Sequence, residues 1–375
     1  MSSLGIYLHI PFCSAICNYC NFNRGLFEPA LKARYVQALE TEIRRSSARG
    51  RAADTIFFGG GTPSLLDPDE IGLLIAACRD TFALAGHAEI TLETNPETSS
   101  AERMERFRAA GVNRISFGVQ SFRESELKRL GRIHTADRAL AAVREARAAG
   151  VDNISLDLMM WLPQQSRDDW GESVETLIGV GPEHASLYLL ELYPNAPLKE
   201  EMARSGWSLA PDDDAAEMYL WSLERLERAG YRQYEISNVA RPGRESRHNL
   251  KYWTDGEWAA FGCGAHATIA GVRSRNVAST EEYIRRIGSG ESAVSEERRL
   301  TETERLEEAL FTGLRLSAGL DIDHVGRHYA VDVWERFGPR LVPYVESGLL
   351  VRHGPRLRLT REGMLLANEI MAVFV

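Results

Sequence analysis

The stretch IYLHIPFCSAICNYC, residues 6–20, joins an apolar run to three closely spaced cysteines. Cys13, Cys17 and Cys20 follow the pattern C-x3-C-x2-C. Sulfur is the soft donor that iron–sulfur clusters select, and three thiolates at this spacing can bind three irons of a cubane [4Fe-4S] cluster. No other cysteine is close enough in sequence to bind the fourth iron. The stretch therefore predicts a cluster with one open iron, which can chelate a small molecule.

Two other interpretations of these cysteines stay open at this point. A zinc site needs a fourth ligand, and only His9 is close, on a strand whose neighbours are predicted to be buried. A disulfide suits an oxidising compartment, whereas five cysteines with three in one motif suit a reducing one. Cys78 is expected in the core of a helix, and Cys263 lies far along the chain.

Short apolar strands alternate with amphipathic helices over the first two hundred residues. The predicted strands are 4–9, 54–58, 88–94, 112–119, 153–160 and 185–192. Six βα units are fewer than a closed TIM barrel contains. We therefore predict an α/β fold, with a partial (β/α)6 TIM-like barrel.

Glycine and polar residues gather where these strands end. Gly59-Gly60-Gly61-Thr62 follows one strand, Glu93 ends the next, and Gln120 and Asp157 lie near the ends of two more. In parallel barrels, the chemistry takes place at the carboxyl ends of the strands. A glycine run there lets the backbone approach a ligand that a side chain would block. The sequence thus predicts one functional face next to the cysteine motif.

The alternation stops after Pro194. We predict three regions: a barrel over 1–200, an α+β extension over 201–290 that carries HNLKYW, and a winged-helix-like domain over 291–375. The Gly/Ser/Glu-rich residues 288–300 are predicted to be a linker. Because the charges of the last region are mixed, a structural or protein-contact role is favoured over nucleic-acid binding.

The composition is that of an ordinary globular protein. The 375 residues are 44% apolar and 26% charged, with a net charge of −9 that opposes non-specific binding to nucleic acid. No apolar run reaches the roughly 18 residues that span a membrane, and the first residues lack the signal of a secreted protein. These features predict a cytoplasmic protein with no nucleic-acid partner.

Five motifs together resemble one branch of the radical S-adenosylmethionine (SAM) family. They are Y-x-HIPFC at 7–13, GGGTPS at 59–64, ETNP at 93–96, GVQS at 118–121 and HNLKYW at 248–253. The branch is that of the oxygen-independent coproporphyrinogen III oxidases and their relatives. In this family the open iron binds the methionyl amine and carboxylate of SAM, and the reduced cluster cleaves SAM to a 5'-deoxyadenosyl radical.

The resemblance implies a role for each matching residue. Cys13, Cys17 and Cys20 would bind the cluster, and Tyr7 and Tyr19 would line the cluster and its SAM. Gly61, Thr62 and Glu93 would hold SAM near the glycine turn, and the nucleotide side would be completed by Gln120, Arg132 and Asp157. On composition alone, Glu93 and Asp157 could instead cap the next turn, and Arg132 could be a solvated charge.

Two departures separate the chain from the oxidases themselves. Phe22 stands where the oxidases typically carry a fourth cysteine, and the first cluster cysteine is already residue 13, without the N-terminal extension thought to help bind the porphyrinogen. Both features resemble the heme-chaperone branch, whose members bind heme and deliver it to respiratory heme proteins. We interpret the chain as a heme chaperone that carries a [4Fe-4S] cluster and SAM. Coproporphyrinogen III dehydrogenase is the enzyme alternative, and heme breakdown by methyl transfer is a third.

Heme and recipient respiratory heme apoproteins, some at the membrane surface, are the partners that this resemblance implies, and a homodimer is compatible with it. His248 is the histidine set among aromatic residues, so it is the first candidate ligand of heme iron. The alternative is that His248 satisfies a buried hydrogen bond in a core. His266 is the competing ligand, followed by His134.

Overall fold

The computed structural model describes residues 3–375; Met1 and Ser2, which begin the predicted region 1–200, lie outside the described residues. The strands are β1 (Leu4–Ile10), β2 (Phe12–Cys13), β3 (Gly25–Leu26), β4 (Ala52–Gly60), β5 (Ala83–Thr94), β6 (Arg114–Gln120), β7 (Ile154–Met160), β8 (His184–Leu189), β9 (Arg232–Glu235), β10 (Asn238–Ala240), β11 (Trp258–Phe261), β12 (His266–Ile269), β13 (Val272–Asn276), β14 (Val294–Arg299), β15 (Leu320–Asp321), β16 (Leu350–His353) and β17 (Arg356–Leu359).

Helices fill most of the connections between these strands. They are α1 (Pro29–Arg44), α2 (Pro68–Thr81), α3 (Ala101–Ala110), α4 (Glu124–Arg129), α5 (Ala136–Ala148), α6 (Arg167–Val180), α7 (Pro197–Ser205), α8 (Asp212–Arg228), α9 (Arg247–Trp253), α10 (Thr280–Gly288), α11 (Glu302–Gly313), α12 (Ile322–Tyr329), α13 (Val333–Glu346), α14 (Arg361–Leu365) and α15 (Ala367–Met371). None of the helices in residues 3–375 is both long enough and apolar enough to cross a bilayer.

One large sheet organises the molecule. Its strand order is β14-β13-β12-β11-β1-β4-β5-β6-β7-β8-β10-β9, and the run from β1 to β8 is parallel. These six parallel strands are the predicted ones, with ends that differ by a few residues, so the predicted α/β partial barrel is confirmed. Since β1 also pairs with β11 and β8 with β10, the six strands do not close on one another in the described residues.

Side chains alternate across the parallel strands and so define an inner and an outer face. Ile6, Leu8, Ile56 and Phe58 are buried in the main hydrophobic core, which the surrounding helices complete. Strand residues of the opposite parity share the inner face, and the polar and aromatic ones among them include Tyr7, His9, Thr55, Phe57, Glu93, Arg114, Ser116 and Asp157. The barrel interior is therefore unusually polar for a core, which is typical of a functional cavity.

The helix over Pro68–Thr81 illustrates how local sequence builds this frame. Asp67 precedes Pro68 at the first helical position, and the Glu70 carboxylate accepts the Asp67 backbone N–H at 2.8 Å. Lys32 of α1 donates to both Asp67 and Glu70 at 2.8 Å, so the cap also joins two helices.

The end of the chain has a hydrophobic core of its own. Helices α11–α15 pack with the small sheet β15-β17-β16 around Leu310, Phe337, Leu341 and Ile370. This core meets the large sheet at Arg315, whose guanidinium lies 2.9 Å from the buried Glu235 carboxylate. The division into 1–200, 201–290 and 291–375 stays a prediction.

The predicted linker over 288–300 is wrong in one respect. Val294–Arg299 forms β14, which pairs antiparallel with β13 at the edge of the large sheet. Most of its side chains are exposed and charged. Charged edge strands resist pairing with other chains, and their polar composition is what makes them look like linkers in sequence.

Candidate functional site

The three motif cysteines lie in a loop at the carboxyl end of β1. Cys13 ends the short strand β2, which pairs with β3 where the loop returns, so that Cys13 lies opposite Leu26. Cys13 is buried, Cys17 and Cys20 are half-buried, and all three thiols are free. We call residues 13–26 the cluster loop. The pairing of β2 with β3 holds the two ends of this loop together, with Cys13 at one end and Cys17 and Cys20 between the ends.

The donor chemistry of the cluster loop fits an iron–sulfur cluster. Burial raises the pKa of the Cys13 thiol to about 11, so a bound metal would have to displace its proton, as metals do at thiolate sites. Within residues 3–375, no three histidine, cysteine or carboxylate side chains are already drawn together as a metal site.

Gly61 gives the loop the space it needs. A Cβ atom on Gly61 would lie 2.6 Å from the Phe12 carbonyl oxygen and 3.0 Å from the Cys13 sulfur. The Gly61 and Thr62 backbone N–H groups donate to Ile10 O at 2.8 Å and Phe12 O at 2.7 Å. The glycine turn thus touches the backbone of the cysteine motif itself, so only glycine fits here without moving the loop.

Arg132 joins the cluster loop to the ends of the strands. Its guanidinium donates to Asn95 Oδ1 at 2.8 Å and Gly118 O at 2.7 Å, and Nη1 lies 3.4 Å from the Cys17 sulfur. Asn95 Nδ2 in turn donates to Thr62 Oγ1 at 3.0 Å. The interpretation of Arg132 as a solvated surface charge therefore does not hold.

Gln120 completes this group of polar residues. Its backbone is left-handed, with φ of 68°, which is uncommon for a residue other than glycine and occurs often at functional sites. A Cβ atom on Gly118 would lie 3.1 Å from both Asn95 Oδ1 and Gln120 Nε2. The absence of a side chain at Gly118 thus allows the polar groups of Asn95, Gln120 and Arg132 to converge.

Two half-buried carboxyl groups lie on the inner face of the sheet. Glu93 Oε2 accepts the Gly60 backbone N–H at 3.1 Å, and Asp157 is within 3.3 Å of Ser116 Oγ. Burial, reinforced by the negative charge of Asp157, raises the pKa of Glu93 to about 8. Burial also raises the pKa of Asp157. Glu93 bonds the end of a neighbouring strand and does not cap its own next turn.

The two tyrosines have different surroundings. Tyr7 points from β1 into the barrel, where its hydroxyl lies 3.1 Å from His9 Nδ1. Tyr19 lies on the cluster loop and packs against an apolar cluster that includes Leu130 and Met159. Burial raises the pKa of both phenols, so both are neutral hydrogen-bonding groups at physiological pH.

The three histidines considered as heme ligands differ in their surroundings. His248 is 1% exposed, and its ring nitrogens lie 2.8 Å from Thr55 Oγ1 and 2.9 Å from the Tyr252 hydroxyl. His134 is also buried, with Nε2 3.1 Å from Val119 O. His266 is exposed at the start of β12. An iron ligand at His248 would have to give up one of its two hydrogen bonds.

Sequence reasoning missed two residues that hold the site together. Asn95 links Thr62 to Arg132. Its position in the ETNP motif at 93–96 could have indicated this role. Asn23 donates from Nδ2 to Cys263 O at 3.0 Å and to Ala278 O at 3.1 Å, which ties the cluster loop to distant segments. No local pattern indicates the role of Asn23, because its partners come more than two hundred residues later.

Family comparisons agree with this geometry. Residues 7–177 match the Radical SAM superfamily, and residues 300–366 match the HemN C-terminal domain. The chain is 36% identical to the heme chaperone HemW of Bacillus subtilis over 98% of both chains. It is 35% identical to the heme chaperone HemW of Escherichia coli, over 99% of this chain and 98% of that protein.

A mitochondrial relative and a solved structure extend the comparison. The radical S-adenosyl methionine domain-containing protein 1 of Bos taurus is 35% identical over 98% of this chain and 86% of its own length. The coproporphyrinogen III oxidase HemN of Escherichia coli, a radical SAM enzyme, superposes with a TM-score of 0.88 at 23% identity. That alignment covers 99% of this chain and 90% of the oxidase, and it shows a shared fold.

Proposed function

The chain belongs to the radical SAM superfamily and, within it, to the family of the heme chaperone HemW, and on that premise we propose that it binds heme and delivers it to respiratory heme proteins. The superfamily implies a [4Fe-4S] cluster and SAM as cofactors. Recipient apoproteins and a homodimeric state belong to the same proposal. The enzyme alternative is oxidative decarboxylation of coproporphyrinogen III.

One observation carries the preference for the chaperone. Phe22 lies in the cluster loop with 65% of its surface exposed, at the position where the oxidases typically carry a further cysteine. A thiol there could take part in chemistry, whereas an exposed phenyl ring offers only an apolar face. Ile16, Leu26 and Ile133 are likewise exposed near the loop. These side chains suit contact with a flat apolar macrocycle.

We propose the following roles for the site residues. Cys13, Cys17 and Cys20 bind the cluster, which when reduced can supply an electron to bound SAM. Arg132 and the glycine turn orient SAM beside the loop, and the remaining contacts come from Tyr7, Tyr19, Gly61, Thr62, Glu93, Gln120 and Asp157. The neutral phenols and the protonated Glu93 offer hydrogen-bond donors inside the barrel.

The identity of the heme ligand is a separate part of the proposal, since both ring nitrogens of His248 already make hydrogen bonds. The ligand role of His248 stays a prediction. What supports His266 is its exposure and an imidazole that makes no side-chain hydrogen bond among residues 3–375. If His266 is the ligand, His266→Ala should shift the Soret band of bound heme, whereas His248→Ala should leave its position unchanged. The opposite pattern would restore His248.

The central test is a pair of assays on one anaerobically reconstituted sample. Heme titration should saturate with a Soret change, and incubation with coproporphyrinogen III, SAM and reductant should give no decarboxylated product. Phe22→Ser should weaken heme binding about tenfold, the loss expected for one aromatic contact. Leu73→Ser, at an exposed apolar residue of α2, is the matched control and should bind heme normally. Robust SAM-dependent turnover would reverse the preference and favour the dehydrogenase.

A further inference from the structure

We propose that the HNLKYW helix positions the cluster loop through a continuous column of side chains inside the barrel. The column consists of the side chains of Tyr252, His248, Phe57, Tyr7 and His9, and it ends at the backbone carbonyl of Asn23. It starts on α9 and ends three residues beyond Cys20. The proposal rests on the cofactors that the superfamily implies and is independent of heme.

The base of the column is a rigidly held imidazole. Glu89 accepts the backbone N–H groups of Arg247 and His248, both at 3.1 Å, and so satisfies two donors at the start of α9. The His248 ring is then fixed between Thr55 and Tyr252. Burial lowers the pKa of His248 to about 3, so the ring is neutral and can donate from one nitrogen and accept at the other.

Stacked rings form the middle of the column. The Phe57 ring centroid lies 5.1 Å from that of His248 at an interplanar angle of 27°, and 6.2 Å from that of Tyr7 at 19°. Glycines make room for this stack. A Cβ atom on Gly5 would lie 3.0 Å from His248 Cε1, and one on Gly59 would lie 2.9 Å from the Tyr7 ring. Glycine at these two positions therefore leaves the space that the rings occupy.

The top of the column consists of hydrogen bonds whose donors and acceptors can be assigned. His9 Nε2 lies 2.7 Å from Asn23 O, and because a carbonyl only accepts, Nε2 carries the proton. Nδ1 then accepts from the Tyr7 hydroxyl at 3.1 Å. A Cβ atom on Gly60 would lie 2.5 Å from His9 Cε1, so the imidazole fills the space above this glycine. The tautomer of His9 is thus set by the backbone of the cluster loop.

His248 acts in this arrangement as a positioning residue, since Phe57, Tyr7 and His9 lie between it and the cluster loop. Loss of a contact at the base frees the Phe57 ring, and with it the Tyr7 hydroxyl that orients His9. The expected result is a cluster that assembles but whose environment and SAM site are altered. A role confined to heme ligation would leave both unchanged in heme-free protein.

The test uses heme-free, reconstituted full-length protein. We would measure iron content, the SAM dissociation constant and the EPR spectrum of the reduced cluster with and without SAM. His248→Leu and Phe57→Leu should each weaken SAM binding at least fivefold and change the SAM-dependent EPR shift, with iron content unchanged. His248→Gln, which keeps a hydrogen-bonding group, should recover part of the effect. Asn249→Ala, a neighbour in the same motif outside the column, should behave as wild type.

Two conservative variants guard against a failure to fold. Thr55→Val and Tyr252→Phe each remove one hydroxyl that contacts His248 while nearly conserving volume. Each should weaken SAM binding about twofold, and the same change in the EPR spectrum should appear. Wild-type SAM affinity and wild-type spectra in all four variants, His248→Leu, Phe57→Leu, Thr55→Val and Tyr252→Phe, with clusters intact, would overturn the proposal. Because heme is absent from every sample, this outcome is independent of the chaperone assignment.

Discussion

Arg132 places a guanidinium nitrogen 3.4 Å from the sulfur of Cys17, so a permanent positive charge lies at the edge of the cluster loop. The same side chain donates to Asn95 and to the carbonyl of Gly118. One residue therefore contacts the loop and the ends of two parallel strands. Arg132 thus places a positive charge beside Cys17 and at the same time fixes the distance between the cluster loop and the strand ends.

This contact predicts the effect of a charge-conserving change. Arg132→Lys keeps the positive charge but loses the planar fork that reaches several partners at once. We expect SAM binding to weaken about tenfold, since several hydrogen bonds to a charged group are lost together. Equilibrium binding to the reconstituted protein measures the change. Arg129→Lys, at the end of α4 and without a contact to the cysteine sulfurs, should bind SAM normally; equal losses in both variants would contradict the assignment.

The proposed cysteine ligands can be tested one by one. Replacing Cys13, Cys17 or Cys20 with Ala should abolish the broad visible absorption of the reconstituted cluster, because each thiolate binds one iron. Cys78 and Cys263 are also buried free thiols, but neither lies on the cluster loop. Their Ala variants are the controls and should keep the band. A lost band in either control would mean that the ligands are misassigned.

Gly61 allows a steric test with a matched control. In Gly61→Val the new Cβ atom would meet the Phe12 carbonyl oxygen at 2.6 Å, so the start of the cluster loop must shift. We expect iron content after reconstitution to fall to less than half of the wild-type value, as an order-of-magnitude effect of a displaced ligand. Gly86→Val, in β5 at a position where a Cβ atom would meet no heavy atom within 4 Å, should load normally. Full loading of Gly61→Val would show that the loop tolerates the shift.

Glu42 predicts a pH dependence of stability. Its carboxylate accepts from Gly262 N at 2.8 Å, the Tyr283 hydroxyl at 2.6 Å and Asn276 Nδ2 at 2.7 Å. Burial nevertheless raises its pKa from 4.5 to about 7. Between these two values the folded protein holds a proton that the unfolded chain has released. The free energy of unfolding should therefore fall as the pH rises through this window, by up to about 3 kcal/mol.

Urea unfolding of wild type and Glu42→Gln at about pH 5 and about pH 8 tests this expectation. The Glu42→Gln side chain carries no proton that titrates in this pH range. The free energy of unfolding of the variant should depend less on pH than that of wild type. Parallel pH curves for the two proteins would show that another group is responsible.

Much of the barrel and its functional face could be predicted from sequence because the signals are local. Strand-end residues such as Glu93 and Asp157 converge in any parallel barrel, and the Asp67-Pro68 cap depends on neighbours in sequence. The edge strand Val294–Arg299 could not be recognised, because its exposed charges lack the alternation of a half-buried strand. The contacts of His248 with Thr55 were also hidden, since one residue comes from a short helix and the other from a strand far earlier in the chain.

The hydrogen bonds of Asn23 to the carbonyls of Cys263 and Ala278 have a consequence for biosynthesis. The cysteine motif is synthesised before the partners of Asn23, which are made more than two hundred residues later. At ordinary translation rates that interval is on the order of tens of seconds. During this time the cluster loop lacks these two hydrogen bonds, so we expect the three thiols to be more open to oxidation or to the wrong metal. Correct loading is therefore expected only after translation has passed residue 278.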